Sequence, residues 1–107
     1  MTNVTGAAPA GDQIRVMIVD DSAVVRGLVS RWLEEEHDFA VVATHRHGRL
    51  AAQDMTHSRP DVVILDIEMP EMDGLTALPL LLKAKPDTVV LVASTLSQRG
   101  AETSLRA

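Results

Sequence analysis

The 107 residues contain no cysteine. That excludes a disulfide framework, a thiolate metal site and a cysteine nucleophile, and it fits a reducing compartment. Aromatic residues are almost as scarce, at 2%, with Trp32 and Phe39 the whole supply. The stacking platforms on which single-stranded nucleic acid is usually held therefore have nothing to be built from. Basic residues are outnumbered, 10 Lys and Arg against 15 Asp and Glu, for a net charge of −5, which argues against wrapping a phosphate backbone. No apolar run approaches the roughly 18 residues of a membrane span. Met1 to Gly11 lack the basic start and apolar middle of a secretory signal. The expectation is an acidic, soluble, cytoplasmic domain with neither nucleic acid nor a membrane as partner.

What is present is the makings of one core. Hydrophobic residues are 46% of the chain, and a chain of this length buries roughly two thirds of its unfolded surface. Residues 1–13, rich in Gly, Ala, Pro and Thr, read as a flexible tail, and residues 14–107 as the domain. Ile14, Val16, Met17, Ile18 and Val19 form a β-branched run ended by Asp20-Asp21-Ser22, which suits a strand buried on both faces. Val24, Val25, Leu28, Val29, Trp32 and Leu33 then recur in pairs four apart, as on one helix face. Ser22 or Asp21 is placed to cap the first turn, and Glu34-Glu35-Glu36-His37 marks the exit. The alternation continues with a strand over Phe39–Thr44, a weaker helix over Leu50–His57 and a strand over Asp61–Asp66. A helix over Leu75–Lys85 follows, with early turns bent or frayed by Pro79, then a strand over Thr88–Ser94 and the start of a helix over Gln98–Ala107. Apolar strands separated by helix-length segments give an α/β fold, a doubly wound parallel sheet with helices on both faces.

Two of these strands end in aspartate. In an open parallel sheet the strand C-termini share one edge, where ligands bind. If the first and third strands are neighbours, Asp20, Asp21 and Asp66 meet in one pocket. Three carboxylates that close repel one another unless a cation sits among them, and hard oxygen donors suit Mg²⁺. A lone Asp after a strand serves equally well as a helix cap. The doubled pair and the matching Asp66 favour the metal, with Glu68 a fourth candidate oxygen. Beyond Asp66, Pro70 stiffens a loop and Asp73-Gly74 makes a turn into the next helix.

Taken together, the Asp20-Asp21 pair, Asp66, the Met69-Pro70 and Asp73-Gly74 loop and Ser94 resemble the receiver domain of two-component response regulators. The strings VDDSAVVRGLVSRWLEE, LDIEMPEMDGLTALPLLL and VVLVASTL are similar, more narrowly, to the amino-terminal receiver of chemotaxis protein-glutamate methylesterases, the CheB family. The resemblance implies a flavodoxin-like sheet of order 2-1-3-4. It makes Asp66 the phosphoacceptor for a phosphoryl group from a chemotaxis-type histidine kinase. It implies Mg²⁺ on Asp21, Asp66 and the Glu68 carbonyl, with Asp20 acting through water. It makes Ser94 the switch hydroxyl, with Thr95 the runner-up, and Met69, Pro70 and Gly74 part of the active-site loop.

In that family a methylesterase domain with a serine nucleophile follows the receiver. No Gly-x-Ser-x-Gly elbow occurs in this chain, so esterase activity is not expected of these residues. Receivers also carry a fifth strand, ending in a lysine, and a fifth helix. The chain ends at Ala107 with Lys83 and Lys85 its only lysines, so a truncated receiver is expected, with a fourth-strand edge open to dimerisation or strand exchange.

Three rival readings remain at this point. One is an interaction module that holds no phosphoryl group. Another is a Mg²⁺-dependent phosphohydrolase working through Asp66-Ile67-Glu68, disfavoured because nothing in the chain is left to form a lid. The last is a flavin or nucleotide binder, disfavoured by the absence of a Gly-rich loop. His37, His45, His47 and His57, and Arg26 and Arg31 on the first helix, read as solvated surface.

Overall fold

The computed structural model describes residues 13–67 and 74–93, with Gly74 and Leu75 described by their backbone alone. Seven elements alternate: β1 Ile14–Val19, α1 Ala23–Glu34, β2 Phe39–His45, α2 Gly48–Ser58, β3 Val62–Asp66, α3 Gly74–Ala84 and β4 Val89–Ala93. The strands form one parallel sheet of order β2-β1-β3-β4, the doubly wound arrangement that the sequence predicts. The chain therefore reverses direction across the sheet between β1 and β3, and their C-terminal ends stand side by side.

The two central strands divide their residues between two layers. Met17 and Val19 of β1, with Val63 and Leu65 of β3, pack on Ala51 and Met55 of α2 and Leu81 of α3, all fully buried. Ile18 and Ile64, one residue out of phase, face α1 across a cavity. This period-two split is why Val16–Val19 and Val62–Leu65 are apolar without a break. A bulge in β2 shifts the register between Val16↔Val41 and Met17↔Ala43, leaving Val42 as the extra residue.

Helix α1 differs from its expected burial. Its apolar arc is wider than the sheet covers: Val25, Val29 and Leu33 are half-buried, while Val24 is 71% and Trp32 55% exposed. Of the two candidate caps, Ser22 takes the role, its hydroxyl accepting from the Val25 N–H at 3.2 Å. Helix α3 runs as one helix through Pro79, which lies on its exposed side. Helix α2 ends on Arg59 in the left-handed conformation, φ 47°.

The N-terminal edge of the sheet is fastened by polar contacts. The Arg15 guanidinium donates to the carbonyls of Ser58 at 2.6 Å and Arg59 at 3.2 Å. The Arg15 N–H donates to Asp61 Oδ2, and the Asp61 N–H donates back to the Arg15 carbonyl. The Asp61 carbonyl accepts from the Val89 N–H, and the buried Thr88 hydroxyl donates to the Pro60 carbonyl at 3.0 Å. These bonds pair backbone groups of α2, β1, β3 and β4 at this edge. Gln13, the last residue of the expected tail, donates through Nε2 to the carbonyl of His37 at 3.1 Å.

Candidate functional site

At the opposite edge, β1 delivers Asp20 and Asp21, and β3 delivers Asp66 as its last residue. Their carboxylate oxygens lie within 4.8 Å of one another. Asp20 and Asp66 are buried, with 9% and 8% of their surface exposed, and Asp21 is exposed. This is the convergence expected from two adjacent strands ending in aspartate, and it is the one such acidic or histidine group among the described residues.

Asp20 is held on three sides. Its N–H donates to the His45 carbonyl at the end of β2, 3.0 Å. Its Oδ1 accepts from the Ser22 N–H at 2.8 Å. Its carbonyl accepts from Arg26 Nη1 at 2.6 Å. Because Ser22, not Asp21, caps α1, capping does not account for the Asp21 carboxylate. Burial pushes the Asp20 carboxyl above its ordinary range, opposed by the Ser22 N–H and reinforced by the neighbouring Asp21 charge. A cation among the three acids would offset both the burial and the repulsion. The donor set, hard carboxylate oxygens half in and half out of water, fits Mg²⁺.

Beside the acids, Ile18, Val25, Val29, Trp32 and Ile64 line a cavity of about 230 Å³ that reaches Asp20, Asp66 and Ala93. Ala93 is the register partner of Asp66, and its carbonyl accepts from the Ile67 N–H at 3.3 Å. Glu68, Met69, Pro70, Asp73, Ser94 and Thr95 lie outside the described residues, and so does the expected helix over Gln98–Ala107. Gly74 opens α3. Lys85 pairs with Asp87 at 3.1 Å, just before β4 and therefore at the far edge from the acids.

Several residues read as solvated surface turn out to be engaged. Arg26 reaches back one turn to Asp20; an arginine six residues past a strand-end aspartate was the available signal. His45 Nε2 meets Asp54 Oδ2 at 2.8 Å with both side chains mostly covered, and His47 Nδ1 accepts from the Leu50 N–H to cap α2. The bond to His45 is the chief reason the Asp54 carboxyl sits below its usual range. None of the histidines joins the acidic group.

The response regulator receiver domain family matches residues 16–106. A protein-glutamate methylesterase/protein-glutamine glutaminase of Bradyrhizobium diazoefficiens is 50% identical over 105 residues, 98% of this chain and 26% of that protein. One from Paramagnetospirillum magneticum is 56% identical over 104 residues, 97% of this chain and 27% of that protein. The chain thus spans about a quarter of the length of these curated relatives. The crystal structure of the response regulator domain of Thermotoga maritima CheB superposes with a TM-score of 0.73 at 35% identity, covering 87% of this chain and 69% of that one. The order β2-β1-β3-β4, the strand-end acids and these matches agree: the chain belongs to the response regulator receiver domains, of the kind carried by CheB protein-glutamate methylesterases.

Proposed function

We propose that this domain is a phosphorylatable switch, with Asp66 as phosphoacceptor. The observation that carries the reading is the meeting of Asp20, Asp21 and Asp66 within 4.8 Å at the C-terminal edge of the sheet. The Asp66 carboxylate attacks phosphorus in line; its O–P bond forms as the P–N bond of a phosphohistidine on a chemotaxis-type histidine kinase breaks. The imidazole leaves with the electron pair and takes up a proton, and Asp66 becomes an acyl phosphate. An ionised carboxylate needs no general base for this step, so positioning and charge do the work. Asp21 and Asp66, the Glu68 carbonyl, and Asp20 through water are the groups that would hold Mg²⁺. That ion, when bound, supplies attraction between two anions that otherwise repel. Ser94, or failing it Thr95, is the hydroxyl assigned to the phosphoryl oxygen, and Met69, Pro70 and Gly74 shape the loop.

The methylesterase relatives, about four times as long, support a role in regulating a C-terminal methylesterase domain in the cytoplasm. Among the described residues no helix is long and apolar enough to cross a membrane. β4 pairs with β3 alone among the described strands. This supports pairing of the β4 edge with a second copy, by dimerisation or strand exchange. Size-exclusion with light scattering at low concentration gives a dimer on this reading, and a stable monomer overturns it.

The phosphoacceptor is tested by intact mass after incubation with acetyl phosphate and Mg²⁺. One added phosphoryl group, absent from Asp66→Asn and absent without Mg²⁺, is the expected result. No adduct, with Mg²⁺ still bound, would favour an interaction module that holds no phosphoryl group.

A further inference from the structure

We infer that Arg26 is a positioning residue for the acidic site: by clamping the Asp20 carbonyl it sets the cation affinity of Asp20, Asp21 and Asp66 while touching neither cation nor phosphoryl group. The inference rests on reading the three acids as a Mg²⁺ site.

Three contacts fix Asp20, and they differ in kind. The His45 carbonyl on its N–H and the Ser22 N–H on its Oδ1 are backbone groups, supplied by the fold whatever the side chains. Arg26 Nη1 on the carbonyl, at 2.6 Å, is a side chain and a charged one. The Asp20 carbonyl belongs to the peptide plane that leads into Asp21. Holding that oxygen fixes the plane's rotation, and with it the direction in which Asp21 leaves the backbone. Arg26 is itself held: its N–H donates to the Ser22 carbonyl at 3.0 Å in the capped first turn of α1, and its side chain is half-buried. A charge-assisted bond from a seated arginine is shorter and stronger than a neutral one. Partners that orient ligands in this indirect way commonly change metal affinity by about 10–100-fold when removed.

A plain charge effect has the opposite sign. A guanidinium beside a cation site repels the cation, so deleting its charge alone would tighten binding. Positioning predicts weakening. The sign of one substitution therefore separates the two.

The test is a titration of the full chain with Mg²⁺ alone, followed by calorimetry and by the fluorescence of Trp32, the only tryptophan, which lines the cavity that reaches Asp20 and Asp66. The parent, Arg26→Lys and Arg26→Gln are compared, each checked for cooperative unfolding. Arg26→Gln is expected to bind Mg²⁺ about 10-fold more weakly. Arg26→Lys, which keeps the charge and one donor but not the fork, should fall between. Affinity that is unchanged or higher in Arg26→Gln overturns the inference and leaves the metal site standing. No Mg²⁺ binding by the parent overturns the site reading and this inference with it. Should Arg26→Gln fail to fold, Arg26→Met keeps the aliphatic stem and carries the same comparison.

Discussion

Asp20→Asn should make the domain more stable in the absence of metal and less responsive to it. Asp20 and Asp66 are both buried, with carboxylate oxygens no more than 4.8 Å apart. Two unit charges at that separation repel by roughly 3.5 kcal/mol at an effective dielectric of about 20, and by roughly 0.9 kcal/mol in water. The edge is partly wet, so about 1–3 kcal/mol is the range to expect. Asparagine is nearly isosteric and still offers Oδ1 to the Ser22 N–H, so the contact at 2.8 Å survives. In a domain of this size each kcal/mol is worth roughly 4–8 °C in Tm. Asp20→Asn in EDTA should therefore melt at least about 5 °C above the parent. Saturating Mg²⁺ should then raise the parent's Tm through mass action, and the variant's by less. The assay is thermal unfolding followed by circular dichroism, with and without Mg²⁺. A variant less stable than the parent in EDTA would refute the reasoning, because it would mean that the Asp20 carboxylate is a net stabiliser of the fold.

Other expectations follow from the same geometry. Gly27 lies mid-helix in α1, and a Cβ added there meets nothing within 4 Å; Gly27→Ala should stabilise by about 0.5–1 kcal/mol, seen as a higher urea midpoint at unchanged slope. Ser22→Ala removes the cap on the Val25 N–H and should cost about 1 kcal/mol in the same assay. Asp54→Ala breaks the bond to His45 and should cost about 1 kcal/mol at pH 5. The Asp54 carboxyl is held below its ordinary value of 3.8, so that contribution is complete above 3.8 and is lost as pH falls through the depressed folded value. The parent's advantage should accordingly shrink in unfolding curves taken below pH 3.8, and an advantage that grows there would contradict it.

The strands were legible because Val16–Val19 bury both faces and Val62–Leu65 are buried or half-buried on both, which leaves runs of apolar residues in the sequence. The acids were legible for a related reason: each ends such a run, and topology alone brings their strands together. Helix α1 was read less well. Periodicity reports how wide an apolar arc is and says nothing of how much of it the sheet covers, so Val24 and Trp32 share the arc of Val25 and Val29 and are exposed. Arg26, His45 and His47 were misread for the opposite reason. A polar side chain that bonds to a carbonyl, a carboxylate or a helix end looks, one residue at a time, the same as one that faces water. Their partners lie 6, 9 and 3 residues away, and only the fold says which of them they meet.

If Asp66 is the phosphoacceptor proposed above, the stitched N-terminal edge bears on where its state can be read. Arg15, Asp61, Thr88 and Val89 tie α2, β1, β3 and β4 together through side chains and backbone at once. The acids stand at the other end of the same strands. On the proposed function, a change at Asp66 would act on a sheet fastened at its far side, and displacement should grow with distance from that fastening. A neighbour that reads the state of Asp66 would then be expected near the C-terminal ends of β3 and β4 and the start of α1. One docked against the turn around Pro60 would stand on the part that stays still. Amide exchange is the check: the Asp61 and Val89 amides, bonded to the Arg15 and Asp61 carbonyls, should exchange more slowly than amides at the strand ends that carry the carboxylates.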